Sequence, residues 1–267
     1  MRDGIGLYLH YVSISLRSQL QYPASFVMMA VGNLVINGLE FLGIWALFSR
    51  FGTLRDWTLP EVALFYGIVH IAFAISEAAA RGFDILHRQI KSGEFDRILL
   101  RPRSTVLQVM GLEFQLLRIG RITQALVVLC WGISNLEIAL IFPQILLILA
   151  AILGGSLLFS GLFVLQATLS FWSVESLELV NLVTYGGVET AQVPMAIYRK
   201  WFQSFFTWII PLATINYFPL MAILKRPDPL GTPWWLSWFS PLAGLLFFVG
   251  CLQIWNFGVQ HYHSTGS

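Results

Sequence analysis

The strongest constraint on this chain is a series of apolar windows. Most approach the about 20 residues that a helix needs to cross a hydrocarbon core of about 30 Å. They run from about Ala24 to Phe48, Leu59 to Ala80, Ile122 to Ile133, Pro143 to Trp172, Val174 to Val193 and Phe239 to Gly258. The third is short but has a long amphipathic approach through Glu113, Arg118 and Arg121. Inside a bilayer each backbone polar group must be satisfied within its own segment, so these windows are expected to be helices. Composition agrees, with 57% apolar and 11% charged residues against about 25% charged in soluble domains. The expected fold is an all-α polytopic membrane protein: one transmembrane domain over residues 1–267 with six transmembrane helices.

Two further segments are helical without being spans. In residues 1–23, Ile5, Leu9, Val12, Leu16 and Leu20 form one stripe, and Asp3, His10, Arg17 and Gln21 lie on another side. That pattern predicts a helix lying on the membrane surface, with Pro23 breaking it from the first span. It lacks the continuous apolar core of a cleavable signal peptide. Residues 194–224 carry Pro194, Pro211 and Pro219, and no clean span can be drawn through them. Two half-helices that enter and leave on one side fit better, which is allowed where protein buries them or they line a cavity. Lys225 to Trp238, with Pro227, Pro229 and three tryptophans, reads as an interfacial loop.

Charge placement gives the orientation. With six spans and a re-entrant hairpin, both termini share a side with residues 81–104. That side holds Arg2, Arg17, the six cations Arg81, Arg88, Lys91, Arg97, Arg101 and Arg103, and Arg118 and Arg121, ten in all. The other holds Arg50, Arg55, Arg199, Lys200, Lys225 and Arg226, six in all. The bias places both termini in the cytoplasm. If the hairpin spans instead, the C-terminus moves outside.

Residues 81–104, RGFDILHRQIKSGEFDRILLRPRS, form the only long charged segment between the two apolar halves. Phe83, Leu86, His87 and Ile90 share one helical face, and Asp84, Arg88 and Lys91 another. Ser92-Gly93 ends that helix, because glycine accepts the left-handed conformation of a helix terminus. Pro102 disfavours helix at Arg101. Two readings remain open here: an ordinary cytoplasmic loop that obeys the positive-inside rule, and a docking element for a soluble partner.

Several chemistries find no residues. There is no phosphate-binding GxxxxGK[ST], no HExxH and no GxSxG. His10, His70, His87, His261 and His263 are scattered. His261 and His263 in the tail read as a solvated terminus rather than metal ligands. Cys130 and Cys251 lie in apolar runs without ligand spacing and read as core. No basic patch with interleaved aromatics suggests a nucleic-acid partner.

The informative polar residues lie inside the spans. Asn33, Asn37 and Glu40 share a face of the first, and His70 and Glu77 are seven apart on the second. Gln253, Asn256 and Gln260 repeat the pattern on the last. On the fifth, Glu175, Glu178, Asn181, Tyr185, Glu189 and Gln192 fall in a sector about 120° wide. Carboxylates facing lipid are costly, so that face meets water or protein. Interhelical hydrogen bonding explains such residues generally. A substrate path or dimer seam is the alternative, favoured most on the fifth span. A proton relay through Glu40, Glu77 and Glu189, driving a secondary transporter, is a further reading, and a non-transporting scaffold a third.

The central turn Gly93-Glu94-Phe95-Asp96-Arg97-Ile98-Leu99-Leu100-Arg101-Pro102 resembles a loop signature of ABC-2 type ATP-binding-cassette exporter permeases, bacterial branch. Ile209-Ile210-Pro211-Leu212-Ala213 and Asn216-Tyr217-Phe218-Pro219 resemble that branch's segment before the last span. The similarity extends over essentially the whole chain. It implies a non-enzymatic permease of the bacterial inner (plasma) membrane that exports a hydrophobic or amphipathic substrate. Its partners would be a separate ATPase subunit, a second permease, identical or paralogous, and membrane lipids. No cofactor would sit on this chain, and Mg-ATP would bind the partner ATPase. Residues 81–104 would then be the coupling loop that seats in a cleft of the ATPase. Asp84, His87, Arg88 and Lys91 would face the partner or lipid headgroups, with Glu94, Asp96, Arg97 and Arg101 alongside. Gly93 and Pro102 would set the loop's shape.

Overall fold

A computed structural model describes residues 2–136, 140–173, 176–226 and 231–264. Glu175, Pro227 and Pro229 therefore lie outside the described residues. Among the described residues the fold is helical throughout, with no strand. Helix α1 spans Arg2–Gln19, α2 Pro23–Phe51 and α3 Leu59–Asp84. Short helices follow: α4 Leu86–Lys91, α5 Glu94–Leu99 and α6 Thr105–Met110. Then come α7 Arg118–Asn135, α8 Phe142–Leu169, α9 Ser176–Ala191, α10 Lys200–Ser204, α11 Tyr217–Leu224, α12 Trp234–Phe239 and α13 Leu242–Gln260.

Four of these are long and apolar enough to cross a membrane: α2, α3 continued through α4, α8 and α13. The windows expected at Ile122–Ile133 and Val174–Val193 form helices that fall short on that measure. Helix α7 carries Arg118, Arg121 and Gln124 in its first two turns. Helix α9 has 16 residues, about 24 Å at 1.5 Å per residue. Lys200–Ile209 and Leu212–Leu224 pass together as a fifth span, but they are bent by 77°. The bend falls at Pro211, which cannot continue a helix ladder.

Helix α3 is the centre of the bundle. Val62 through Ala74 are almost wholly buried, and α7, α8 and α9 pack around it. Its start is fixed by a capping box: Thr58 N donates to Glu61 Oε2 at 2.8 Å. Helix α13 packs on α8 through small residues. A Cβ placed on Gly244 would lie 2.0 Å from the Gly154 carbonyl oxygen, an approach only glycine permits. Gly155 takes the other side of α8 against Ala72. Helix α2 touches mainly α7 and is otherwise exposed along its apolar length.

The contacts also order the two ends of the bundle. Tyr8 of α1 donates to the Ala79 carbonyl near the end of α3. Tyr262, just past α13, packs on Phe95 at 5.0 Å between ring centroids. Helix α1, the 81–104 segment and the C-terminal tail thus share one end. At the other, the Arg226 guanidinium binds both oxygens of Glu61, at 2.7 and 2.9 Å, and caps the Asp56 carbonyl.

Helix α1 docks through Tyr8, Tyr11, Ser15 and Gln19: Ser15 Oγ donates to the Phe114 carbonyl at 2.9 Å, and the Leu116 amide donates to Gln19 Oε1 at 3.0 Å. Leu9 and Leu20 of the expected apolar stripe stay exposed beside this docking face. Two core expectations change. Cys251 is buried, but Cys130 is exposed, because α7 leaves the face bearing Val127 and Trp131 uncovered. Tyr262 is held between the rings of Phe95 and Phe171 rather than forming part of a solvated tail.

Candidate functional site

The 81–104 segment folds as α4, a turn and α5. Gly93 takes φ +69° between them, a left-handed conformation that costs other L-residues about 1–2 kcal/mol. Apolar residues at helical spacing turn inward: Phe83, Leu86, Ile90, Phe95 and Ile98 are all buried. They join Phe171, Trp255 and Tyr262 in an aromatic cluster. Phe83 and Trp255 meet edge-on at 5.1 Å, and Phe95 and Phe171 lie tilted at 5.2 Å. Trp255 Nε1 donates to Thr105 Oγ1, and the Gln108 amide donates to the carbonyls of Ile98 and Arg103 at 3.2 Å. The loop therefore has its own core, continuous with α13 and with the end of α8.

What this core leaves outward is mostly charged. Arg88, Lys91, Glu94, Arg97, Arg101 and Pro102 line the outer surface, and Leu100 is 84% exposed beside them. His87 is half-buried, its Nδ1 3.1 Å from the Asp84 carbonyl. Asp84 is turned inward, bound by Arg81 at 2.5 Å and by the Gln166 amide at 2.8 Å. Asp96 accepts from Ser264 of the tail at 2.6 Å.

At the root of the loop lies a buried ionic network. Glu77, 1% exposed, receives Arg118 and Arg121 at 3.1 Å each and has Arg81 at 3.8 Å. Arg81 also donates to the Tyr185 hydroxyl of α9 at 2.9 Å. Helices α3, α7 and α9 are thus tied by one chain of charge-assisted contacts, with α8 joined through Gln166 and Asp84. Arg121 further lies 5.2 Å from the ring of Phe73.

Deeper in the bundle is a second polar group. His70, fully buried, stacks on Tyr66 at 3.9 Å. Its Nε2 is 3.3 Å from Gln192 and 3.5 Å from Glu40. Gln192 donates to Glu189 at 2.8 Å. Tyr66 and Gln124 both donate to the Asn37 carbonyl at 3.2 Å. Glu189 is exposed and Glu40 half-buried, so this group reaches from the interior to the surface of the bundle.

The expected polar stripe of α9 therefore divides. Tyr185 joins the loop network, Glu189 and Gln192 the deeper group, and Glu178 is exposed. The buried Asn181 Oδ1 has no hydrogen-bond partner. Asn33 remains apart, its amide donating to the Met29 carbonyl one turn back. Tyr66, Gln124 and Gln166 were not among the expected site residues. Nor was Glu61, and Arg226, Arg118 and Arg121 read only as charges for orientation. Among the described residues no group of His, Cys, Asp and Glu is arranged to hold a metal ion.

The sequence matches the family described as ABC-2 family transporter protein over residues 34–266. No curated protein and no solved structure matches the chain.

Proposed function

The chain belongs to the ABC-2 transporter family, and from that premise we propose that it is the permease subunit of an ATP-driven exporter. A separate ATPase, carrying Mg-ATP, docks on the 81–104 segment, and a second permease completes the membrane part. The observation that carries this reading is the construction of that segment. It has a buried core of its own, a charged outer surface, and a root wired through Arg81 to Tyr185 of α9. An ordinary connecting loop needs none of these. A rigid lever that passes movement from a docked partner to a path helix needs all of them.

In the same reading α7 and α9 complete six crossings, and the bent Lys200–Leu224 segment re-enters from the outer face. The shared end of the tail and the 81–104 segment supports this, since a spanning hairpin would separate them. Helix α1 rests on the inner surface of a bacterial plasma membrane with Leu9 and Leu20 toward lipid. Both chain ends face the cytoplasm. The surface bearing Glu40, Glu189 and Gln192, opposite a second permease, forms the path for a hydrophobic or amphipathic substrate.

Purification of the chain from its native membrane in mild detergent tests the docking claim. A stoichiometric ATPase is expected, lost in an Arg88→Glu, Lys91→Glu variant. Recovery of no ATPase under several gentle conditions would overturn the proposal. Transport that then depends on a proton gradient would select the ion-driven reading through Glu40 and Glu189. In the assembled exporter, Gly93→Val introduces about 1–2 kcal/mol of backbone strain. ATP hydrolysis is expected to persist while transport falls, and unchanged coupling would remove Gly93 from the lever. Glu189→Leu should leave assembly intact and lower transport. If assembly alone fails, the residue is an interhelical contact and not part of the path.

A further inference from the structure

The bent segment, with Tyr198 just before it, lines an open cavity of about 580 Å³, within the about 300–1,000 Å³ range of small-ligand sites. Tyr198, Trp208 and Phe218 supply aromatic walls. Lys200, Gln203, Ser204 and Thr207 supply the main polar lining. Lys200 is the one charged side chain on the cavity among the described residues, and it pairs with no carboxylate among them.

Thr207 is 5% exposed, yet its hydroxyl has no hydrogen-bond partner. It lies in a π-helical turn, Phe205–Ile209, a local widening that recurs at functional positions. An unpaired hydroxyl in an apolar surrounding is costly, so a bound acceptor would satisfy it. Gln203 and Ser204 are already engaged, donating to the carbonyls of Tyr198 at 2.9 Å and Lys200 at 3.0 Å. What the site offers a ligand is the exposed Lys200 ammonium and, once rotation about χ1 turns it to the cavity, the Thr207 hydroxyl, with no competing carboxylate among its lining residues. Beside it Trp201, Trp208 and Ile209 are 68%, 73% and 64% exposed, the composition of an interfacial belt.

We propose that this cavity binds the acidic headgroup of a membrane amphiphile, a phosphate or carboxylate held by Lys200 and Thr207 with its chain over Trp208. The inference rests on the membrane-spanning character of the chain and on the cavity, not on the exporter reading, and its test needs no ATPase.

The full chain is purified in neutral detergent and titrated with phosphatidylglycerol or phosphatidylcholine, and retained lipid is counted by mass spectrometry. Phosphatidylglycerol is expected to be preferred by about tenfold, the scale of one charge-assisted hydrogen bond. Lys200→Gln should abolish the preference, and the shape-conserving Thr207→Val should weaken it severalfold. Arg50→Gln, a cation at the end of α2, should leave it unchanged. Glycerol 3-phosphate distinguishes the sources: displacement of the lipid means that the headgroup alone suffices, and no displacement means that the chain contributes. Either supports acidic recognition. Equal retention of the two lipids, or a full preference in both Lys200→Gln and Thr207→Val, would overturn the proposal. Thr207→Val carries the test if Lys200→Gln fails to fold.

Discussion

Glu77→Leu is expected to destabilise the bundle by about 3–5 kcal/mol, the cost of breaking a buried ion pair from one side. The carboxylate is 1% exposed and receives Arg118 and Arg121 at 3.1 Å each. Without it two guanidiniums are left close together with side-chain exposures of 23% and 15%. Both are still mostly covered, so their mutual repulsion is only partly screened by solvent. Arg81 suffers less, because Asp84 and Tyr185 still hold it. Thermal unfolding in detergent should therefore show a large drop for Glu77→Leu and a smaller one for Arg81→Gln. Combining Glu77→Gln with Arg121→Gln should recover part of the loss, since the double change removes one charge of each sign. If Glu77→Leu melts like the unaltered chain, the network does not hold α7 on α3.

Much of the architecture was legible because the bilayer leaves few options. Apolar length marked α2, α3, α8 and α13, and the proline spacing marked the bent segment before α12. Gly93 was legible as a turn because few other residues tolerate its φ. The partners of the charges were not. Arg118 and Arg121 satisfy the positive-inside bias whether or not Glu77 lies beside them, and their separation of about 40 residues in sequence carries no periodic signal. Arg226 is 165 residues from Glu61, so the clamp on the Asp56 turn could come only from the fold. Asp84 shares a helical face with Arg88 and Lys91, yet Arg81, three residues earlier, captures it first. Tyr262 looked solvated because a tail shows no pattern, although Phe95 and Phe171 form an aromatic pocket for it. Sequence thus located the loop and the polar stripe, and tertiary pairing decided which of their residues face out.

Gly244→Ile should be the most damaging change on the last helix. An added Cβ would meet the Gly154 carbonyl oxygen at 2.0 Å and its carbonyl carbon at 2.6 Å. Both are backbone atoms of α8, so no rotamer change relieves the contact and the helices must separate. Separation would withdraw the cover from Cys251 and Trp255 on the same helix, 3% and 0% exposed. Trp255 also anchors the loop through Phe83 and Phe171. Overpacking alone costs about 1–3 kcal/mol and occasionally more; the helix-wide consequence places this variant at or above the top of that range. Gly250 of α13 is the control, because its added Cβ meets nothing within 4 Å. Gly250→Ala should be neutral or stabilising by about 0.5–1 kcal/mol through helix propensity. Comparing melting in detergent and protease access to residues 81–104 separates the two. Gly244→Ile should melt early and expose the loop, and Gly250→Ala should do neither. Equal behaviour of the two variants would mean that α13 is not seated on α8 through Gly154, and the route by which the last helix braces the 81–104 loop would have to be redrawn.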